Sequence, residues 1–97
     1  MNNKILVAVK RPNETAFLTR IDNTLEELQR IVGGYIETTT FGDVVVICNE
    51  EGLIYGLPYN CDFCGIDFCG TIIFCGEDED EFTDLPLVAE PVPGRKA

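Results

Sequence analysis

Histidine and tryptophan are absent from this 97-residue chain, methionine occurs once, and no Lys or Arg lies between Ile31 and Gly94. Each gap excludes something. Without histidine, the side chain that most often serves as general base near neutral pH is missing. A cysteine nucleophile needs such a base or a positive neighbour to become thiolate, and the five cysteines have neither nearby in sequence. No apolar run reaches the roughly 18 residues of a membrane span. The N-terminal MNNKILVAVKRP has too short an apolar stretch for a signal peptide and no small-residue cleavage site, so the cytoplasm is the expected location. Neither a Walker loop nor a GxGxxG turn is present. Paired carboxylates such as Glu50 with Glu51, or Glu37, are the remaining route to acid–base chemistry, but adjacent acids in a strand or turn usually point apart. The chain therefore reads as a non-enzyme.

What the chain does contain is acid, unevenly placed. The formal net charge is −10, and thirteen of the seventeen Asp and Glu fall inside the stretch that has no basic residue. Such a charge argues against direct binding to nucleic-acid phosphates, whose affinity comes from Lys and Arg. It suits solubility or a basic protein partner. Any anion site must draw on Lys4, Lys10, Arg11, Arg20 and Arg30, or on backbone N–H groups.

One domain is expected at this length, compact over 1–85, with a flexible Pro-rich tail over 86–97. Lys4–Val9 and Ala16–Ile21 read as two antiparallel strands about an Arg11-Pro12-Asn13-Glu14 turn. Asp22–Val32 reads as the one helix. Thr24 with Glu27 makes a capping box, Asp22 is a competing N-cap, and Gly33-Gly34 supplies the stop. Leu25, Leu28, Ile31 and Val32 share one face. Tyr35–Phe41 is a strand, and Val44–Cys48 is apolar throughout, as suits a central strand covered on both faces. Asn49–Gly52 reads as a hairpin turn with Leu53–Leu57 as its return strand, and Thr71–Cys75 as another core strand. The acidic run Glu77–Glu81 reads as a solvated loop. Its sharper reading is a phosphate-mimicking patch for a basic groove. The resulting fold class is α+β: a mostly antiparallel five- or six-stranded sheet with one short helix packed on a face. So small a core, with open edges, predicts a homodimer.

Two constellations could carry function. Cys61, Cys64, Cys69 and Cys75 supply four soft ligands, and the sequence DFCG occurs twice. Zinc needs four thiolates converging tetrahedrally. Only Cys61-x2-Cys64 is well arranged for that, so free thiols in a loop and a strand are the plainer reading and no cofactor is expected. The second constellation is polar residues set among apolar strands: Tyr35, Glu37, Asn49, Glu50, Tyr55 and Asn60. With Arg11 and Arg20 supplying charge, these can hydrogen-bond and stack against a base or sugar edge. Their competing role is structural, with Asn49 and Asn60 closing turns.

Four segments resemble the signature of a small family known as domain of unknown function 3846. They are Gly33-Gly34-Tyr35-Ile36-Glu37, Cys48-Asn49-Glu50-Glu51-Gly52, Gly56-Leu57-Pro58-x-Asn60 and Gly70-Thr71-x-x-Phe74-x-Gly76. The resemblance extends from the first strand to about Leu85. It implies a setting in phages or mobile elements of Firmicutes. The chain departs from the family where Cys61–Cys69 replaces a polar, Arg-containing segment and where the Pro-rich end replaces a helix. The function expected is therefore a counter-defence protein sequestering a small, nucleotide-derived ligand. Alternatives are an acidic nucleic-acid mimic that inhibits a host nuclease or restriction system, and a zinc-stabilised accessory module.

Overall fold

A computed structural model describes residues 3–86 of the chain. The tail expected over 86–97 lies, from residue 87 onward, outside the described residues. Eight strands and one helix follow in the order β1 Lys4–Lys10, β2 Phe17–Asp22, α1 Leu25–Val32, β3 Ile36–Phe41, β4 Val44–Asn49, β5 Tyr59–Phe63, β6 Ile66–Cys69, β7 Ile72–Asp78 and β8 Glu81–Thr83. Five form a sheet in the order β2-β1-β7-β4-β3, with β8 added beside β7. The β5–β6 pair forms a separate two-stranded sheet. Every pairing is antiparallel.

The apolar runs KILVAV, VVVIC and TIIFC become β1, β4 and β7, the inner strands, because only there does the backbone find partners on both sides. Alternation then divides their side chains between two cores. Val7, Val45, Ile47, Ile73 and Cys75 join Leu28 and Val32 of α1 in the larger cluster. Val46 and Ile72 join Phe68 of β6 in the smaller one, with Phe41, Phe63 and Phe74 packed against it. The sheet is thus covered by the helix on one side and by the β5–β6 hairpin on the other.

The helix begins at Leu25 rather than at Asp22, because of the two candidate caps it is Thr24 that operates. Thr24 is the N-cap and its hydroxyl accepts from the Glu27 amide at 3.1 Å, while Gly33 closes the other end at φ 84°. Asp22 instead belongs to β2 and pairs with Lys4 at 2.6 Å. Leu25, expected on the buried face, is 56% exposed. It occupies the first turn, while Leu28 and Val32 reach the core.

Three expectations are corrected. Leu53–Leu57 is not a strand. β3 and β7 already flank β4, so a return strand has no free edge to join. The chain coils instead, with the Tyr55 amide donating to Glu51 carbonyl and the Leu57 amide to Gly52 carbonyl. The cysteine-rich segment is not a loose loop but the β5–β6 hairpin. Cys64 and Gly65, both at positive φ, make its two-residue turn, as hairpins of that length require. The acidic run is not a loop either. Glu77 and Asp78 end β7, Glu79 and Asp80 turn at positive φ, and Glu81 begins β8.

The segment after β8 completes β1. Of β1, only Ala8–Lys10 pairs with β7. Beside Leu6, the Asp84 carboxylate accepts from the Leu6 amide and the Leu85 amide donates to Leu6 carbonyl, each at 2.7 Å.

Candidate functional site

Seven of the eight residues expected to form one ligand site are distributed over three clefts, and Asn60 lies apart from them. Arg11 and Arg20 line a cleft of about 470 Å³ on the helix side, beside β2. Tyr35, Asn49 and Tyr55 line a second, of about 310 Å³, at the C-terminal end of α1. Glu37, Asn49 and Glu50 line a third, of about 380 Å³, between β3 and the β5–β6 hairpin. Asn60 lines none of these three. Its amide nitrogen donates to the carbonyls of Lys10 and Gly70, and its oxygen accepts from the Lys10 ammonium at 2.9 Å. No one cleft brings all eight residues together.

The helix-side cleft is the most chemically distinct of the three. Alternation along β2 directs Phe17, Thr19 and Ile21 to one face, and Val9 supplies apolar floor from β1. Arg11, Arg20 and Arg30 all border this space. The Arg11 guanidinium lies 5.1 Å from the Phe17 ring centroid and 3.4 Å from Glu14. Arg30 grips Glu27 through two hydrogen bonds of 2.9 and 2.7 Å. Those bonds hold the Glu27 carboxyl below its ordinary value and raise the Arg30 guanidinium above its own. Arg20 has no ion-pair partner among the described residues.

The other two basic residues of this half are occupied elsewhere, Lys4 by Asp22 and Lys10 by Asn60. Three arginines line this cleft, and the Arg11 guanidinium stacks over Phe17, so the corner is basic on a chain of net charge −10. Planar forked donors of this kind recognise phosphate and carboxylate oxygens in pairs, and Thr19 and Thr71 add hydroxyls. A volume of about 470 Å³ falls in the range of small-molecule sites. From the sequence Arg30 is only an available cation, and Phe17, Thr19 and Thr71 are not among the expected site residues. The signal for Phe17 and Thr19 is their period-two alternation with Ile21, and for Arg30 its place in the last turn of the helix.

The four cysteines do not converge. Cys75 is fully buried in the helix-side core, whereas Cys61 packs against the hairpin-side core and Cys64 is exposed at the hairpin turn. Burial, aided by Glu77, pushes the Cys75 thiol up to about 12, and burial with Glu37 also raises Cys48. No cluster of three or more metal-ligating side chains occurs among the described residues. The repeated DFCG has a different outcome: Phe63 and Phe68 both pack against the sheet. Phe63 meets Phe41 and Phe74 edge-on, each with centroids 5.1 Å apart.

Asn49 and Asn60 are braces. Asn49 donates to the Val32 carbonyl at the end of α1 and accepts from the Glu51 amide at 2.8 Å, tying helix, strand and turn together. A methyl group on Gly34 would lie 2.8 Å from that Asn49 amide nitrogen, so the close approach requires glycine. A methyl group on Gly70 would likewise lie 2.8 Å from Leu57, and one on Gly52 3.1 Å from the Cys69 carbonyl. The residues that carry the resemblance thus form a connected set of turn supports.

Together, fold and cleft define a small antiparallel α+β protein with one cationic corner. The family model for a domain of unknown function (DUF3846) matches residues 4–90, and the chain belongs to that family. No curated protein and no solved structure matches it. No helix among the described residues is long and apolar enough to cross a membrane.

Proposed function

We propose that this chain is a non-catalytic binding protein that sequesters a small phosphorylated ligand of the nucleotide-derived class in the helix-side cleft. One observation carries the reading: Arg11, Arg20 and Arg30 border a single cleft around Phe17 in a strongly acidic chain. Arg20, without an ion-pair partner among the described residues, supplies paired donors for phosphate oxygens, Arg11 and Arg30 add positive charge, and Phe17, 40% exposed, offers apolar surface for a base. Glu27, held ionised by Arg30, is the one carboxylate at the cleft and makes a poor proton donor near neutral pH. The motif resemblance adds the setting, a phage or mobile element in the host cytoplasm, where removing a nucleotide signal blunts a defence. A homodimer through the open edge of β2 or β3 belongs to the same reading. Isothermal titration against cyclic dinucleotides and ADP-ribose derivatives tests it. Binding by the native chain, lowered at least about tenfold in Arg20→Ala/Arg30→Ala, is the expected result. Silence across the panel removes the proposal.

A second reading is favoured by the β7–β8 hairpin, which holds Glu77, Asp78, Glu79, Asp80 and Glu81 on ordered backbone. Fixed carboxylates at strand spacing are suited to mimic a nucleic-acid backbone before a basic host nuclease. Converting all five to Gln or Asn should abolish inhibition of such a nuclease. Unchanged inhibition excludes this patch.

A further inference from the structure

The turn between β4 and β5 is held tightly yet turns its largest apolar side chains to water. Four backbone hydrogen bonds close it: Gly52 to Asn49, Tyr55 to Glu51, Gly56 to Leu53 and Leu57 to Gly52, at 2.9–3.2 Å. Asn49 braces its start, and Leu57 is seated against Gly70 at its end. Between these anchors Leu53 is 78% exposed, Ile54 79% and Tyr55 68%. Tyr35, also 68% exposed, faces the same small cleft as Tyr55, and Ile66 is exposed on the neighbouring hairpin. Contiguous exposed apolar groups of this size mark interaction surfaces.

The charge around the turn decides the partner. Glu51 lies with Tyr35 and Tyr55 at the C-terminal end of α1, where the helix itself contributes partial negative charge. On the other side of the turn, Glu37, Glu50 and Asp67 border the groove containing Leu53, Ile54 and Ile66. No basic residue lines either space. Two tyrosine rings with a carboxylate and a helix C-terminus suit a guanidinium or ammonium. The adjoining groove suits an aliphatic side chain. A second copy meeting this turn with its own would set acid against acid here.

We propose that the β4–β5 turn docks a basic, amphipathic segment of another protein, with an Arg or Lys between Tyr35 and Tyr55 and an aliphatic residue against Leu53 and Ile54. This surface is separate from the arginine cleft, so ligand capture and partner docking stand or fall independently.

The test titrates the full chain with an eight-residue peptide alternating Leu and Arg, beside a Leu–Glu and a Gly–Arg control, read by amide NMR shifts and by affinity. The expected result is binding of the Leu–Arg peptide with shifts centred on Tyr35 and Leu53–Tyr55. Affinity should fall about tenfold in Leu53→Ser/Ile54→Ser and in Tyr35→Ala/Tyr55→Ala. Arg20→Ala/Arg30→Ala should leave it unchanged, and neutralising Glu77–Glu81 should lower it less than about threefold. The altered residues are exposed, so preserved amide dispersion confirms folding. Absence of Leu–Arg binding overturns the proposal. Equal binding of the Gly–Arg peptide, insensitive to the turn variants, also overturns it by reducing the effect to charge. Self-association of the chain that Leu53→Ser abolishes overturns it in favour of a second copy.

Discussion

The two faces of the central sheet share β4 and β7 and are finished in opposite ways. Toward the helix, Val45, Ile47, Ile73 and Cys75 meet Leu28 and Val32, and the corner that α1 leaves open is bordered by arginines. Toward the hairpin, Val46 and Ile72 meet Phe68 and a set of edge-on phenylalanines, and the open groove is bordered by acids. Both covers are short, eight helical residues on one side and two strands of five and four on the other. Neither can blanket the sheet. The uncovered corners are therefore where side chains are free to meet a partner, and the uneven charge along the chain becomes a difference between corners.

The largest expected effect breaks the helix-side cover. Leu28→Ala should cost about 3 kcal/mol, since it empties a fully buried position. Denaturant melts would show it, and a loss below about 1 kcal/mol would mean that the helix contributes little to the core. Phe63→Ala, at a partly buried site, should cost about 2 kcal/mol. Hydrogen exchange should then speed up in β5 and β6 while β1 and β4 stay protected. Acceleration throughout would show that the two covers unfold as one unit.

Asn60→Ala sharpens the comparison at the seam, where one amide joins the hairpin to Lys10 and Gly70. Leaving those carbonyls without a donor should cost about 1–2 kcal/mol. Asn60→Asp, which retains the acceptor for Lys10 but loses the donors, should recover little of it.

The last effect is absent at neutral pH and is seen only in alkali. Cys75 has an ordinary value of 9.0 and is pushed up to about 12, chiefly by burial. Above pH 9 the unfolded thiol loses its proton while the folded one keeps it. Stability should therefore be unaffected below pH 9 and fall by up to about 1.4 kcal/mol per pH unit from there toward 12. Cys75→Ala should flatten that slope. Alkylation at neutral pH should reach exposed Cys64 first and Cys75 last. Equal rates would contradict the division of the cysteines between the two faces.

Much of the architecture was legible because local chemistry and tertiary demand agreed. The Thr24–Glu27 cap, the Gly33 stop, the first hairpin and the both-sides-buried character of Val44–Cys48 all follow from residue type and spacing. Leu53–Leu57 was misread because its apolar residues resemble a strand, while the absence of a free edge beside β4 is a property of the whole sheet. Glu77–Glu81 was misread because charge signals exposure, and exposed residues can still pair through their backbones. For the candidate site, Arg11 and Arg20 were found, but Phe17, Thr19 and Thr71 were not. The tyrosines and asparagines were recognised as unusual and then placed in one site, although the fold distributes them.

What the sequence by itself determined is local: where the helix starts and stops, which strands are apolar enough to be central, and which half of the chain can offer positive charge. Family membership was legible there too, because its marks are glycines and asparagines whose turn geometry requires those residues. Only the tertiary structure decided that Arg30 on the helix would join Arg11 and Arg20, that the four clustered cysteines would part to opposite faces, and that Leu53, Ile54 and Tyr55 would point outward. The reason is physical. Convergence of side chains depends on strand order and on which face each strand turns to its cover, and those are settled by pairings between residues far apart in sequence.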